Sequence, residues 1–187
     1  MTANCPSSSS PAGPDHPRWT QRLSDGSLVL IRPISSKDAS AERSFIEDLS
    51  AQSKRFRFMG QIAHPSDAFI NQLTNIDYVN DVALAAVIPE AGKDKIVGVS
   101  RYAVDSAGHC ESAVVVADEW QHKGLGTALM RHLIAVARDC GLQLMESTDL
   151  AENNDMHELA RDLGFQSRPD PEDARQIIYS LRLAAAQ

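Results

Sequence analysis

The sequence predicts an α+β domain with a mixed, mostly antiparallel sheet that contains one parallel strand pair and carries helices on both faces. Three β-rich runs at residues 82–88, 95–104 and 110–116 are separated by turn residues, which is typical of an antiparallel meander. A long helix-period segment at 124–140 and a β-rich run at 143–147 follow. Because a strand, a helix and a second strand in this order need a crossover, the sheet is expected to hold a parallel pair.

The first 18 residues are predicted to be a disordered tail, and residues 19–187 a single domain. The tail is rich in proline and serine and lacks the apolar segment of a signal peptide. The first strand is predicted at 27–32, where a β-rich run ends at Pro33.

Two helices are predicted between this strand and the meander. The first runs from about 37 to 49, after two serines at 35–36 that can cap its N-terminus. The second covers 66–74, where three apolar side chains share one face: Phe69, Ile70 and Leu73. Residues 52–58 mix aromatic and basic side chains and are interpreted as the link between these helices.

The C-terminal part alternates helix and strand. Apolar residues recur on one face of the 124–140 helix, and Gly141 is suited to end it. Asn153 or Asn154 caps a further helix that stops at Gly164. A last strand is predicted at 177–183, after a loop at 169–173.

Composition excludes several classes of function. The formal net charge of −7 and the lack of clustered Lys and Arg argue against nucleic-acid binding. No apolar run approaches the ~20 residues of a membrane span. Three cysteines without CxxC spacing favour a reducing compartment, so the protein is expected to be cytoplasmic. The histidines show no metal-ligand spacing, and the sequence leaves monomer and homodimer open.

The most informative segment is residues 114–127, where an apolar strand enters a glycine-containing turn that opens a helix. Backbone amides at such a helix start, together with the helix dipole, favour an anion such as pyrophosphate. The P-loop spacing and the third glycine of the dinucleotide fingerprint are both absent. A tight turn that serves only close packing is the structural alternative.

This segment resembles the coenzyme A-binding motif of GNAT N-acetyltransferases, with Gln121, Gly124 and Gly126 in its defined positions. Further runs across the predicted domain resemble the bacterial protein-lysine acetyltransferase branch of that superfamily: 31–34, 55–58, 76–78, 114–116 with 120–121, and 151–153 with Met156. The resemblance implies the GNAT fold, with the parallel pair at the cofactor site, and acetyl-CoA as the acetyl donor.

The resemblance also implies a set of cofactor-binding residues. The pantetheine arm would lie along the strand like an added β-strand and bond to its backbone. The pyrophosphate would take backbone amides of the loop, and Lys123 would add a compensating charge. The implied residues are Val114, Val115, Val116, Gln121, His122, Lys123, Gly124, Leu125, Gly126, Thr127 and Asn153. Asn153 is equally suited to be a helix cap.

Acetylation of a lysine needs a base, because keeping an amine of pKa ~10.4 neutral at pH 7 costs ~4.6 kcal/mol. Glu111 matches the family's catalytic glutamate, and burial beside the pantetheine would raise its pKa toward the operating pH. The Val116 amide would hold the oxyanion. Ala160 stands where many relatives have an acid tyrosine, while Cys110 is expected to face the core on the opposite side of the strand.

The sequence therefore favours an acetyl-CoA-dependent N-acetyltransferase that modifies a lysine side chain of a protein, possible acceptors including an acyl-CoA synthetase. Two alternatives stay open. One is acetylation of a small amine such as a polyamine, an amino acid or an antibiotic, because this fold accommodates many acceptors. The other is a non-catalytic acyl-CoA sensor, against which the presence of Glu111 argues.

Overall fold

The computed structural model describes residues 13, 15, 17–60, 64–105 and 108–183. Most of the predicted tail at 1–18 lies outside these residues, as do 106 and 107 of the turn after the second meander strand. The strands described are β1 (Trp19–Arg22), β2 (Leu28–Pro33), β3 (Asp81–Glu90), β4 (Lys93–Val104), β5 (His109–Val116), β6 (Leu144–Leu150), β7 (Gln166–Pro169) and β8 (Gln176–Arg182). The helices described are α1 (Ala39–Asp48), α2 (Ala51–Phe58), α3 (Asp67–Thr74), α4 (Leu125–Asp139) and α5 (Asn154–Leu163).

The strands form one sheet in the order β1-β2-β3-β4-β5-β6-β8-β7. β3, β4 and β5 are the predicted antiparallel meander, and Ala91 and Gly92 turn the β3–β4 hairpin with φ of 49° and 79°. β5 and β6 pair in parallel, with α4 as the crossover between them. The predicted mixed sheet and its parallel pair are therefore confirmed.

Helices cover both faces of the sheet, as predicted. One face buries an apolar cluster between the strands and helices α1 and α3, and it includes Phe45, Ile46 and Ile70. The other face packs on α4 and α5 through a larger cluster. A Cβ on Gly98 would lie 3.0 Å from Leu129 Cδ1 of α4, so the glycine allows this helix to approach β4 closely.

The segment that was interpreted as a link, residues 52–58, is instead helical, so that prediction was wrong. Ser50 caps α2 by accepting a hydrogen bond from the Ser53 amide at 3.1 Å. The helix contains no glycine or proline, but its apolar and basic side chains are mixed because part of its surface lines cavities. A core-facing apolar stripe was therefore missing from the pattern.

Smaller differences occur at the sheet edges and strand ends. β1 and β7 were not predicted, because each is a four-residue edge strand whose side chains are partly or fully exposed. β6 extends three residues beyond the predicted end at 147, to Leu150. Among the described helices, none is both long and apolar enough to cross a membrane.

Candidate active site

The parallel pair opens into a gap at its carboxyl end. Cα partners join β5 and β6 from His109–Leu144 to Glu111–Glu146, and beyond that rung the two strands are no longer paired. β5 continues to Val116 and β6 to Leu150. Ligands of open α/β sheets bind beyond the carboxyl ends of diverging parallel strands, so this gap is a suitable site.

The backbone of β5 has unused hydrogen-bonding groups on the side of the gap. The Ala117 amide donates to the Val97 carbonyl at 2.9 Å, which fixes its direction toward β4. Because amide directions alternate along a strand, the Val114 and Val116 amides point the other way, toward the gap. The Val116 carbonyl already accepts from Gln121 Nε2 at 3.1 Å, which leaves the Val116 amide for a ligand.

A cavity of about 620 Å³ occupies the gap, and we call it the splay cleft. Its walls come from α2, β5, the loop after β5, the end of β6 and α5. Nine of the predicted cofactor-binding residues line it: Val114, Val115, Val116, Gln121, His122, Gly124, Gly126, Thr127 and Asn153. The structure thus brings a segment of fourteen residues and a distant asparagine to one cleft.

The loop before α4 has the conformation of an anion site. His122 and Gly124 have positive φ values of 57° and 85°, which turn successive amides toward one side at the start of a 15-residue helix. A Cβ on Gly126 would meet Leu159 and Val116 side chains at 3.7 and 3.8 Å, which are ordinary contacts. Close packing therefore does not require a glycine at position 126, which argues against the alternative of a turn that serves only packing.

The side chains of two predicted cofactor-binding residues, Leu125 and Lys123, pack against other parts of the protein and do not line the splay cleft. Leu125 is buried in the core beneath α4. The Lys123 ammonium lies 3.1 Å from Asp25 and 4.9 Å from the Trp120 ring centroid, and the Lys123 carbonyl accepts from the Ser24 amide. Lys123 thus joins the loop to the β1–β2 hairpin, a long-range role that the local motif does not reveal.

Side chains of the opposite wall make the splay cleft acidic. α5 contributes Asp155, Glu158 and Asp162, whereas Arg57 of α2 supplies a cation. Attraction for an anion must therefore come mainly from the backbone amides and the positive end of the α4 dipole.

Gln121 and Asp118 hold α2 against the cofactor loop. Gln121 Nε2 donates to Ser53 Oγ at 3.2 Å, and Asp118 accepts from the Ser50 amide, Ser50 Oγ and Ser53 Oγ at 2.9, 2.6 and 2.9 Å. Burial works against the ionised Asp118, but these hydrogen bonds keep its pKa below the usual value. The N-terminus of α2 is thereby fixed at the mouth of the splay cleft.

A second cavity, of about 420 Å³, lies beside the first, and we call it the side channel. Its walls are largely apolar: Phe56, Phe58, Met59, Phe69, Leu73, Val114 and Met156. Three charged side chains also line it, namely Arg57, Glu111 and Asp149. Glu111 and Arg57 also line a further cavity of about 240 Å³, which we call the rear pocket.

Glu111 and Cys110 occupy opposite faces of β5, as predicted. Cys110 is 2% exposed within the α4-side core, and burial raises the pKa of its thiol to about 12. Glu111 is exposed and borders the side channel and the rear pocket. The expected burial of Glu111 was therefore wrong, because the α2 and α3 side chains leave the channel open beside it.

Asn153 caps α5 and also borders the splay cleft. Its Oδ1 accepts from the Met156 amide at 3.2 Å, which caps α5, and its Nδ2 donates to Asp149 Oδ2 at 3.1 Å. Asn153 is 8% exposed and still borders the splay cleft. The sequence reasoning missed Asp149, which only the path of β6 brings to Asn153.

A cluster of charged side chains, Glu42, Arg101 and Arg57, lies beside the side channel, which Arg57 lines. Glu42 is 3% exposed and pairs with Arg101 at 3.5 Å, while its Oε2 lacks a hydrogen-bond partner among the described residues. Burial raises the pKa of Glu42, against the lowering effect of Arg101 and Arg57. Burial and the nearby Arg101 lower the pKa of Arg57 to about 10, so Arg57 remains a cation at neutral pH.

Known proteins are similar to this chain in sequence and in architecture. The model of the Acetyltransferase (GNAT) family matches residues 49–165. Acetyltransferase PA5475 of Pseudomonas aeruginosa is 44% identical over 181 residues, 96% of this chain and 97% of that protein. The crystal structure of the GNAT domain of S. lividans PAT has a TM-score of 0.81 at 28% identity, covering 90% of this chain and 100% of that chain.

A more distant structure carries a ligand. yncA, a putative acetyltransferase from Salmonella typhimurium whose structure holds its cofactor acetyl-CoA, has a TM-score of 0.65 at 20% identity, covering 86% of this chain and 97% of that chain. At this identity the likeness is one of fold. The family model and the Pseudomonas relative together confirm the predicted resemblance, and the chain belongs to the GNAT family of acetyltransferases.

Proposed function

We propose that the protein transfers the acetyl group of acetyl-CoA to the side-chain amine of a lysine in an acceptor protein. The observation that carries this proposal is the side channel, an apolar passage with two carboxylates that meets the splay cleft. Apolar walls suit the four methylene groups of lysine, and carboxylates suit its ammonium head.

Acetyl-CoA fits the groups that the splay cleft offers. The Val114 and Val116 backbones would pair with the pantetheine arm as an added strand. The amides from His122 to Thr127 would take the pyrophosphate. The yncA structure, which holds acetyl-CoA in the same fold, supports this choice of donor. We expect the protein to work in the cytoplasm, since its buried cysteines Cys110 and Cys140 are not joined in a disulfide.

Glu111 is our candidate for the base, and we propose that it acts through an intervening group and not by direct contact with the thioester site. It borders the side channel, and its exposure gives it a route for protons to solvent. A general base contributes about 10²–10⁴-fold to a rate.

Acetyl transfer to a panel of amines tests the proposal. We would measure thiol release and acetyl-lysine formation with an acyl-CoA synthetase, lysine peptides, polyamines, free amino acids and an aminoglycoside. We expect turnover with a protein or peptide lysine and a kcat about 100-fold lower in Glu111→Gln. Glu172→Gln is the control, because it makes the same change on the exposed loop between β7 and β8.

Other outcomes would redirect the proposal. Turnover confined to polyamines, amino acids or the aminoglycoside would replace the protein acceptor by a small amine. Saturable acetyl-CoA binding without turnover on any amine would favour the sensor. An unchanged kcat in Glu111→Gln would remove Glu111 from the chemistry.

A further inference from the structure

The splay cleft and the side channel share one boundary, and that boundary is where an amine in the side channel would meet a thioester in the splay cleft. Five described residues line both cavities: Phe56, Arg57, Val114, Asp149 and Met156. Among these five, the carboxylate is that of Asp149. Glu111 borders the side channel and the rear pocket, one step further from the splay cleft.

Strand register explains why Asp149 lies at this boundary. Glu111 and Glu146 form the last paired rung of β5 and β6. Val114 and Asp149 each lie three residues beyond that rung, so they face each other across the gap where the strands have separated. The Val114 backbone is one of the groups available to the pantetheine arm, which places Asp149 close to the reacting end of that arm.

The surroundings of Asp149 hold its carboxylate in one orientation. The Leu150 amide donates to Oδ1 at 2.7 Å and Asn153 Nδ2 donates to Oδ2 at 3.1 Å. Burial raises the pKa of Asp149, against the lowering effect of these hydrogen bonds and of Arg57. A fixed, partly desolvated carboxylate is better suited to accept a proton at neutral pH than an exposed one.

Resting on the proposed function, we infer that Asp149 is the carboxylate that takes the proton from the acceptor amine, that Asn153 positions it, and that Glu111 lies on the path of the proton to solvent. The acceptor ammonium gives one proton to Asp149, and the neutral nitrogen forms a bond to the acetyl carbonyl carbon. The carbon–sulfur bond then breaks, and the sulfur leaves with the bonding electron pair. The nitrogen loses its second proton to that thiolate, which gives an amide and coenzyme A. The proton on Asp149 passes to solvent through the side channel, which Glu111 also lines.

Charged and titratable groups from each neighbouring element determine the pH dependence of this step. Those that line its cavities are Arg57 of α2, Glu111 of β5, Asp118 and His122 between β5 and α4, and Asp155, Glu158 and Asp162 of α5. Tyr179 of β8 also interacts with Asp149. Arg57 favours the ionised Asp149, whereas the acidic groups oppose it. Burial, with a smaller contribution from Asp149, raises the pKa of Tyr179 to about 12, so Tyr179 stays neutral over the working range.

Asp149→Asn tests this inference, with Asp139→Asn at the exposed end of α4 as the matched control. The amide keeps an oxygen for Asn153, and acetyl-CoA affinity and the thermal unfolding curve report whether the site is intact. We expect acetyl-CoA affinity within about twofold of wild type and kcat about 100-fold lower in Asp149→Asn. The control should match the wild type.

The shape of the pH profile separates Asp149 from Glu111. The wild-type kcat should form a plateau through neutral pH, because ionised Asp149 can deprotonate the bound ammonium. In Asp149→Asn, kcat should rise about tenfold per pH unit, because the amine of pKa ~10.4 must lose its proton to water. Glu111→Gln should lower kcat across the plateau without making kcat depend on pH there.

Two results would overturn the inference. One is an Asp149→Asn kcat within about threefold of the wild type, a loss too small for a general base. The other is a plateau that persists in Asp149→Asn and tilts in Glu111→Gln, which would make Glu111 the direct partner and leave the proposed function intact. Failure of the wild type to acetylate any amine would overturn the proposed function as well.

Discussion

The two sides of β5 are built in different ways. The side that we propose for acetyl-CoA, the cofactor side, is nearly contiguous: residues 114–127 supply most of its lining, and their backbone amides are the groups proposed to bind. The side that we propose for the amine, the acceptor side, is assembled from α2, α3, β5, β6 and α5, and its proposed chemistry depends on side chains. A site made by one turn and one helix start can be predicted from a short motif, whereas a site made by several distant segments depends on register and packing.

A substitution at Gly126 tests whether backbone amides on the cofactor side bind an anion, and we expect the largest loss of acetyl-CoA affinity there. An aspartate introduced by Gly126→Asp has room against Leu159 and Val116 and favours the helix N-terminus, so the fold should be retained. Its charge would repel the pyrophosphate and should weaken acetyl-CoA binding on the order of 100-fold. Calorimetric titration measures this loss.

Gly126→Asn is the control for the steric part of that change. It has the same shape without the charge, so its affinity should lie between those of the wild type and Gly126→Asp. Equal affinities for the two variants would contradict an anion at this loop.

Arg57→Met tests the side-chain character of the acceptor side. Removing the guanidinium takes away a charge that lowers the pKa of Asp149, so the acid limb of kcat should move to higher pH. We expect a kcat about tenfold lower near neutral pH, measured across a pH series with a lysine acceptor. Arg55→Met is the matched control on the same helix, where Arg55 pairs with Glu152 at the surface. Identical pH profiles for both variants would contradict the role of Arg57.

Asp118→Asn tests the connection between the two sides. The carboxylate holds the N-terminus of α2 through Ser50 and Ser53, and its loss should lower the free energy of unfolding by about 1 kcal/mol, because solvent screens this exposed group. Because the folded pKa of Asp118 is lowered, its stabilisation is present above the unfolded pKa and is lost as pH falls through the folded value.

Urea unfolding of Asp118→Asn at pH 7 and near pH 3 measures this contribution. The difference from the wild type should shrink at the lower pH. Asp48→Asn, at the exposed end of α1, is the control and should change little. A difference that does not depend on pH would show that the charge of Asp118 is not what holds α2.

Cys110→Ala should have the smallest effect on catalysis. The thiol is buried on the face opposite Glu111, and its pKa is raised to about 12 by burial, so it is a poor nucleophile. We expect kcat within about twofold of the wild type at a modest cost in stability. Loss of turnover in Cys110→Ala, with a covalent acetyl group found on the wild-type thiol by mass spectrometry, would contradict direct attack by the amine.

The fold of residues 110–140, which forms one wall of the splay cleft, could be predicted because its signals are local. An apolar strand, two glycines and a helix period lie within residues 110–140, and the crossover that follows dictates the parallel pair. Gly141 and Gly164 mark helix ends with positive φ values of 73° and 85°, as their positions after the apolar period indicate.

The acceptor side could not be predicted for physical reasons. Asp149 is 35 positions from Val114, and only the register of β5 on β6 places the two opposite each other. Helix α2 has a Ser50 cap but a mixed polar and apolar surface, because it lines cavities instead of packing fully on the core. The ion pair of Lys123 with Asp25 likewise depends on how the β1–β2 hairpin folds over the loop.

A crystal structure with a coenzyme A conjugate, in which an acetyl bridge joins the sulfur to the Nζ of a lysine peptide, tests the central claim most directly. We expect the pantetheine beside Val114 and Val116, the lysine methylenes in the side channel, and Nζ within hydrogen-bond reach of Asp149, about 2.6–3.2 Å. A lysine side chain that lies in the rear pocket, with Nζ at Glu111 and remote from Asp149, would contradict the account.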